Sequence, residues 1–376
     1  MIVQRFAKWA KQASTKDRAE AATMLAGTLA SGNATGADYD AVVASLTLLL
    51  DDPASAVRLA MAKALSRANN LPPALLYALA ADIDSVATAI VTGCGDLSAE
   101  RLVDLVAVGS PAARRAIAER AIVPLPVAAA IAESGEVEAA LALCRNPGAA
   151  LSSPSFYRLA ERFSADGDLC EALLARTELP SAVRQTLMLA ARDRLAEAPL
   201  LIGLLGAKRA GVIAYEAGER GTATIGATLT RHEVPAFAEH LRGSGTMTPS
   251  LLLRVLVGGD VELFTTLLVS LSGRSQRRVE SIVAAGRSSA LRALVLDCGL
   301  SEGIAYLFGE ALTLWRAVAR DASAPRPAAV PALLLARVSA RQFDDRGMSE
   351  AMAILRQLVS EAERDAVRET TRAVAA

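Results

Sequence analysis

The chain is poor in the residues on which most catalytic and metal sites depend. Its 376 residues include only four cysteines, two histidines and 4% aromatic residues. The cysteines are far apart and form no CxxC pair, so the sequence contains neither a zinc-ligand pattern nor a redox motif. It also has no GxSxG, HExxH, GKS or GKT motif. We therefore expect reduced cysteines, as in a cytoplasmic protein, and no metal site, cofactor or catalytic residue.

The chain also lacks an excess of charge and a long apolar run. Forty basic residues balance forty acidic ones, whereas a nucleic-acid-binding domain usually carries a marked basic excess. No stretch of about twenty apolar residues occurs without glycine, proline or charge, and the first residues do not resemble a signal peptide. These absences predict a cytoplasmic protein without a transmembrane helix, for which nucleic acid is not the expected partner.

What the sequence does contain is a repeat built on alanine and leucine, which are strong helix formers. Apolar residues make up 52% of the chain. A leucine followed by proline or serine recurs at steps of 26, 28, 26 and 28 residues. The five positions are Leu71-Pro72, Leu97-Ser98, Leu125-Pro126, Leu151-Ser152 and Leu179-Pro180. A period of this length with one helical hairpin in each unit is typical of a solenoid.

The repeating units are too short to be stable as isolated helices. Each runs for about ten residues, turns at a short polar break and continues as a second helix. Because such helices are marginal alone in water, they must stack on their neighbours. The sequence therefore predicts an all-α fold, an α-solenoid of stacked helical hairpins with about 26–28 residues per repeat.

The regularity of the repeat varies along the chain and so indicates where the chain divides. It weakens over residues 196–231 and returns at Thr248, Ser275 and Ser301. We predict N-terminal capping helices at 1–45, a first helical-repeat array at 46–206, a second array at 207–320, a Pro-rich connector and short helix at 321–347, and a C-terminal helix at 348–376. The two arrays are expected to be hinged or offset near residue 210.

Caps and prolines predict several helix starts. Asp52 is expected to cap a helix with Pro53 in its first turn, in a stretch that resembles the second helix of a HEAT repeat. Further starts are predicted at Ser110-Pro111, Ser153-Pro154 and Thr248-Pro249. Residues 207–218 have a helical pattern, which glycines at 218, 221 and 226 weaken.

Residues 1–30 are predicted to be helical, with an apolar face and a basic face. Phe6 and Trp9 fall on one side, and Arg5 and Lys8 on the other. We expect this segment to shield the open edge of the first repeat, since solenoids need caps. A basic amphipathic helix lying on an anionic membrane is the alternative.

Several stretches resemble a bacterial family of unknown function. They are Met1–Ala10, Leu48–Arg58, Leu71–Ala81, Asn146–Ala149, Leu241–Ser250 and Gly259–Phe264. In order and spacing they are similar to the bacterial domain-of-unknown-function family 2336, best known from alphaproteobacteria, over roughly residues 1–320. The resemblance implies an α-helical, HEAT-like solenoid, and it implies no activity.

Arginine clusters are the candidates for a surface that binds a partner. They are Arg114, Arg115 and Arg120; Arg274, Arg277 and Arg278; and Arg287 with Arg292. One interpretation is that they pair with acids of the adjacent repeat or face solvent. The other is that they bind an acidic or phosphorylated protein.

The two histidines give a weaker signal. His232 and His240 are expected on one helix, and without cysteine partners they do not predict a zinc site. Three functions therefore stand as hypotheses. The leading one is a non-catalytic scaffold for protein–protein interaction. The alternatives are nucleic-acid binding through the arginine clusters and an enzyme whose cryptic site, with His232, His240 and Glu233, lies near residue 210.

Overall fold

The fold is known from a computed structural model that describes most of the chain. The described residues are 2–32, 34–68, 71–94, 97–286, 288–320, 329–339 and 346–375. Within them there are 23 α-helices and no strand, and a single isolated bridge joins Val123 to Ala149. The prediction of an all-α fold is confirmed. The predicted Pro-rich connector lies largely outside the described residues, as does Arg287.

The chain divides into two compact units, Met1–Pro180 and Ser181–Ala376. Unit 1 contains α1 (Ile2–Ala10), α2 (Thr15–Ala30), α3 (Ala37–Leu50), α4 (Ser55–Leu65), α5 (Pro73–Ala80), α6 (Asp84–Gly93), α7 (Ala99–Val108), α8 (Pro111–Ala118), α9 (Leu125–Ser134), α10 (Val137–Arg145), α11 (Ser153–Phe163) and α12 (Gly167–Leu174). The helices after α4 have eight to eleven residues, which is the length that the repeat predicts.

The helices of unit 1 pack in two rows. The odd-numbered helices contact one another in order from α1 to α11, and the even-numbered helices do so from α2 to α12. Each pair from α3·α4 to α11·α12 also forms a contact between its own two helices. The core between the rows consists of leucine, valine, isoleucine and alanine, including the fully buried Leu76, Ile90 and Leu105. Each helix is thus stabilised by its neighbours in the row.

Several predicted helix starts are confirmed by their caps. The hydroxyl of Ser98 accepts from the amide of Arg101, that of Ser110 from the amide of Ala113, and that of Thr248 from the amide of Leu251. The cap predicted at Ser153 is wrong by one residue. The capping hydroxyl belongs to Ser152, which accepts from the amide of Ser155, so that Ser153 is the first residue of α11 and Pro154 still lies in the first turn, where no amide donor is needed.

The cap predicted at Asp52 is also wrong. Asp52 does not cap α4, which begins at Ser55; instead its carboxylate accepts from the amide of Ala54 at 2.9 Å and pairs with Arg18. The helical segment predicted at 1–30 is confirmed as two helices, α1 and α2, because Ser14 caps a new helix by accepting from the amide of Asp17. The first of the two, α1, packs on α3.

Unit 2 contains longer helices, and helices that are far apart in the sequence contact one another there. Its helices are α13 (Ser181–Ala196), α14 (Pro199–Leu205), α15 (Ala207–Ala227), α16 (Val234–Gly243), α17 (Pro249–Val257), α18 (Val261–Ser272), α19 (Gln276–Ala285), α20 (Ser288–Asp297), α21 (Glu302–Arg320), α22 (Val330–Ser339) and α23 (Arg346–Ala375). The central helix is α17, which is buried over Leu251–Val257 and contacts α15, α18, α21 and α23. The C-terminal helix α23 packs here, with Ala351 and Leu355 fully buried.

The glycines of α15 do not interrupt it. The helix is continuous over 21 residues, although Gly218, Gly221 and Gly226 weaken the helical pattern. A Cβ at Gly226 would lie 2.3 Å from Cδ2 of Leu263, and one at Gly218 would lie 2.7 Å from Cδ of Arg192. These glycines are therefore positions of close packing and not helix ends.

No helix within the described residues combines the length and the apolar character that a membrane span requires.

Candidate interaction surfaces

The first predicted arginine cluster is divided between internal and exposed side chains. Arg114 donates from Nε to the carbonyl of Val106 at 2.7 Å and from Nη1 to Glu136 at 2.5 Å. Arg120 donates to the carbonyls of Val91 and Cys94, both at 2.9 Å. These two guanidinium groups therefore bind within unit 1. This agrees with the interpretation that cluster arginines pair with the adjacent repeat.

Arg115 differs from its two neighbours. Its side chain is 59% exposed and forms an ion pair along α8 with Glu119, at 2.8 Å. In the second cluster, Arg274 pairs with Asp297, and Arg277 and Arg278 are exposed on α19. These four arginines lie at the surface, where a partner can reach them.

Arginine and acid pairs recur in unit 1 in one geometric pattern. In each, the fourth residue of an even-numbered helix pairs with an acid in the turn between the next two helices. The pairs are Arg18–Asp52, Arg58–Asp82 and Arg114–Glu136, with closest distances of 2.6, 2.5 and 2.5 Å. The acids can be recognised in the sequence, because each follows the first helix of a hairpin. Their pairing cannot, because the partner arginines are 22 to 34 residues away.

These ion pairs set the charge of the turn acids. Burial of Asp52 favours its protonated form, but hydrogen bonds from Arg18 and Ala54 outweigh it and hold the pKa of Asp52 below its usual value. The same balance of burial against a bond from Arg58 lowers the pKa of Asp82. Both acids are therefore ionised at neutral pH.

A second series of polar side chains donates hydrogen bonds to carbonyls near the C-terminal ends of the even-numbered helices. Arg176 donates to the carbonyls of Asn146 and Ala149, and the Asn146 amide donates to those of Ala118 and Arg120. With Arg120, these side chains donate to carbonyls at or just beyond the C-terminal ends of α6, α8 and α10, where helix carbonyls lack partners inside their own helix. Their role is structural, and it connects each even-numbered helix to the next.

The histidines do not share a helix, contrary to prediction. His232 precedes α16 and lies near the Thr230 hydroxyl, whereas His240 is inside α16, with Nε2 2.9 Å from Oε1 of Gln185. Pro235 explains the difference, because it is in the first turn of a helix that starts only at Val234. Burial lowers the pKa of His240, so its ring is neutral at pH 7.

The four cysteines are free and mostly buried. Cys94, Cys144 and Cys170 are buried, and Cys298 is partly exposed. Burial raises the pKa of Cys144 to about 12, so its thiol stays protonated. Within the part of the chain that the structure describes, no group of three or more potential ligands is placed to hold a metal ion.

A concave surface lies in unit 2 between α18, α19 and α21, and we call it the α19 groove. Its volume is about 520 Å³. The apolar part of its lining is Val261, Val283, Ala284, Leu312, Trp315 and Ala319, and the polar part is Arg231, Glu262, Thr265, Thr266, Gln276, Glu280, Arg316 and Arg320. Arg231 pairs with Glu262, whereas Arg316 and Arg320 form no ion pair with any residue that the structure describes.

Two glycines allow the aromatic and cationic walls of the α19 groove to form. Gly259 has a φ of +93°, and a Cβ there would lie 2.8 Å from the Trp315 ring. Gly286 has a φ of +64° and ends α19, and a Cβ there would overlap the Arg316 guanidinium. Arg316 donates to the carbonyl of Val283 at 2.6 Å. Both side chains are thus held against backbone that only glycine provides.

The rim of the α19 groove carries two polar pairs. Arg231 and Glu262 form an ion pair at 2.6 Å, and Gln276 donates to Glu280 at 2.8 Å. A second cavity of about 340 Å³ also has Arg231 and Glu262 in its lining. The ion pair therefore lies between two adjoining hollows. Four separate segments of the chain form this surface, so no local sequence motif predicts it.

A buried polar cluster holds α23 in unit 2. Glu361 pairs with Arg254 at 2.5 Å and with Arg220 at 2.6 Å. Burial opposes ionisation of Glu361, but the bonds from these arginines outweigh it and keep its pKa below the usual value. The nearby Glu219 is buried too and accepts from Thr248 at 2.5 Å. The cluster is electrically balanced, which is typical of a structural role.

Comparison with known proteins places the chain in a family. Neither a curated protein nor a solved structure matches it. A family model does match, over residues 86–345, and its description is "Uncharacterised protein conserved in bacteria (DUF2336)". This is the family that the sequence resembles, and the match spans more than half of the chain. The chain therefore belongs to this family of uncharacterised bacterial proteins.

Proposed function

We propose that the protein is a non-catalytic, HEAT-like α-solenoid scaffold that binds another protein. The observation that supports this most is the order of helix contacts in unit 1, where each row runs from one hairpin to the next without a break. Helical-repeat proteins of this kind present extended surfaces built from equivalent positions, and binding other macromolecules is their usual use. A cytoplasmic location is part of the same proposal.

We further propose the α19 groove as the binding surface. Its volume is within the range of about 300–1,000 Å³ that ligand-binding pockets occupy. The floor of Leu312 and Trp315 suits a large apolar side chain, and Arg316 and Arg320 suit a neighbouring carboxylate or phosphate. The partner is thus a protein segment with an apolar anchor beside an acidic or phosphorylated residue.

The charges favour a protein over a nucleic acid. Glu262 and Glu280 are part of the groove lining and repel a polyanion. Arg114 and Arg120, on which nucleic-acid binding through the first cluster would depend, donate to groups inside unit 1. Arg277 and Arg278 stay available to either kind of partner. The hypothesis of an enzyme using His232, His240 and Glu233 has no comparable support from the geometry.

Site-specific photocrosslinking in bacterial cells tests the proposal. A photoreactive residue replaces Gln276, on the groove rim, and in a control chain it replaces the exposed Lys63 in unit 1. We expect a discrete protein adduct from position 276 that position 63 does not give. Absence of any adduct at 276 across several growth conditions would contradict the scaffold proposal.

Two charge reversals then separate the groove from the arginine cluster. Arg320→Glu changes the groove, whereas Arg277→Glu changes the same charge at an exposed position of α19 outside it. Loss of the adduct in the first variant alone supports the groove. Loss of the adduct in Arg277→Glu alone would place the binding surface at the predicted arginine cluster instead. Oligonucleotide binding by the purified chain that weakens steeply with salt would support the nucleic-acid alternative instead.

A further inference from the structure

Helix α14 is apolar throughout and has no buried residue. Its seven residues, Pro199–Leu205, are leucine, isoleucine, proline and glycine. Leu200 is 76% exposed and Leu204 is 74% exposed. The helix rests on α13 and α15, so one side of it is covered while these two leucines point to solvent. Exposure of these side chains is energetically unfavourable, because their apolar surface remains in contact with water.

Further large apolar side chains are exposed on the two neighbouring helices. Leu195 lies one residue before the end of α13, and Val212, Ile213 and Tyr215 are exposed in the first half of α15. Among the described residues of unit 2, seven of the nine exposed large apolar side chains lie between 195 and 215. Single exposed apolar residues are normal, but such a concentration marks an interaction surface. We call these residues, with α14, the α14 patch.

Charges of opposite sign flank α14 at its two ends. Glu197 precedes the helix, and Lys208 and Arg209 follow it, all three exposed. None of the three forms an ion pair with another residue in the described part of the chain. A surface with an acid at one end and bases at the other is complementary to itself when a second copy is turned by 180°.

We propose that the α14 patch binds a second copy of this chain. The two α14 helices pack antiparallel about a two-fold axis, with Leu200 and Leu204 of each at the centre. Glu197 of each copy then faces Lys208 and Arg209 of the other, and the dipoles of the two helices point in opposite directions. This surface is separate from the α19 groove, so dimerisation and partner binding are tested independently.

Sedimentation velocity of the full-length chain, from below 1 µM to about 100 µM, measures the dimer. We expect a concentration-dependent monomer–dimer equilibrium. The variant Leu200→Gln/Leu204→Gln is expected to weaken it at least about tenfold, because apolar anchors at the centre of an interface carry most of its affinity. Ile122→Gln is the control, since Ile122 is 74% exposed in unit 1 and should leave dimerisation unchanged.

A charge exchange tests the antiparallel arrangement. Glu197→Lys alone and Lys208→Glu/Arg209→Glu together should each weaken the dimer several-fold at low salt, and the triple variant should recover it. All these residues are exposed, and circular dichroism checks that each variant keeps the helix content of the wild type.

Three results would overturn the proposal. The first is a chain that stays monomeric at the highest concentration. The second is a dimer that the leucine substitutions do not weaken. The third is a monomer that co-floats with anionic vesicles in a way that depends on Leu200 and Leu204, which would assign the patch to a membrane surface. Recovery of the dimer in the triple variant supports the antiparallel pairing, and failure to recover contradicts it.

Discussion

Arg58 and Asp82 form a two-point ion pair across adjacent hairpins of unit 1. Nε of Arg58 lies 2.5 Å from Oδ2 of Asp82, and Nη2 lies 2.9 Å from Oδ1. The third nitrogen donates to the carbonyl of Asp52. One arginine of α4 thereby connects its own preceding turn with the turn before α6. The rigid fork of arginine suits this geometry, which a lysine could not reproduce.

Loss of the Arg58 side chain should destabilise unit 1 strongly. The two side chains are only 16% and 13% exposed, so Arg58→Ala leaves a largely buried carboxylate without its partner. We expect the free energy of unfolding, measured by urea denaturation, to fall by about 3 kcal/mol. The matched control is Arg115→Ala, which removes an exposed pair and should change stability by less than about 0.5 kcal/mol. Equal losses in the two variants would contradict the structural role of Arg58.

The same pair makes stability depend on pH. Because the folded-state pKa of Asp82 is below the unfolded value of about 3.9, its ionisation stabilises the fold fully above that value. The contribution is lost as the pH falls through the lower, folded-state pKa. Asp82→Asn should therefore be less stable than the wild type at neutral pH, and the difference should shrink between about pH 5 and about pH 3. Urea titrations at each pH measure it, and a difference that stays constant would refute this origin.

The fold of unit 1 could be predicted well from the sequence because its rules are local. Ser98 and Ser110 cap helices where the pattern places them, since a cap depends only on residues three positions away. The continuity of α15 could not be predicted. Gly226 lowers helix propensity locally, and the contact with Leu263 that explains it comes from 37 positions further along the chain.

The candidate surfaces were harder to predict than the helices. The arginine clusters are visible in the sequence, but whether Arg114 faces a partner or Glu136 depends on packing between hairpins. The α19 groove draws on residues from Arg231 to Arg320, so periodicity gives no sign of it. The same holds for the buried contact of Arg254 with Glu361, which are 107 residues apart.

The variant Leu102→Ala tests whether the buried face of α7 belongs to the core. Leu102 is 2% exposed and belongs to the core of unit 1. Removal of its side chain should lower the free energy of unfolding by about 2–5 kcal/mol, since a buried leucine leaves a cavity. Met24→Ala is the control, because Met24 is 73% exposed and should change stability by no more than about 0.5 kcal/mol. A loss below about 1 kcal/mol for Leu102→Ala would show that this face is not core.

Two glycines of α15 should respond to alanine in opposite directions. Alanine is favoured over glycine inside a helix by about 1 kcal/mol, if there is room for its Cβ. At Gly211 no atom lies within 4 Å of that position, so Gly211→Ala should raise the free energy of unfolding by about 0.5–1 kcal/mol.

At Gly226 the same substitution should be destabilising. Its Cβ would lie 2.3 Å from Cδ2 of Leu263, which is 1% exposed and has little space to move. Gly226 is also next to the end of α15, so the gain in helix propensity is smaller there. We expect a net loss of about 1–2 kcal/mol, because overpacking outweighs propensity. Thermal unfolding of both variants measures the contrast. If Gly226→Ala stabilised the protein as much as Gly211→Ala, α15 and α18 could not pack as closely as the structure has them.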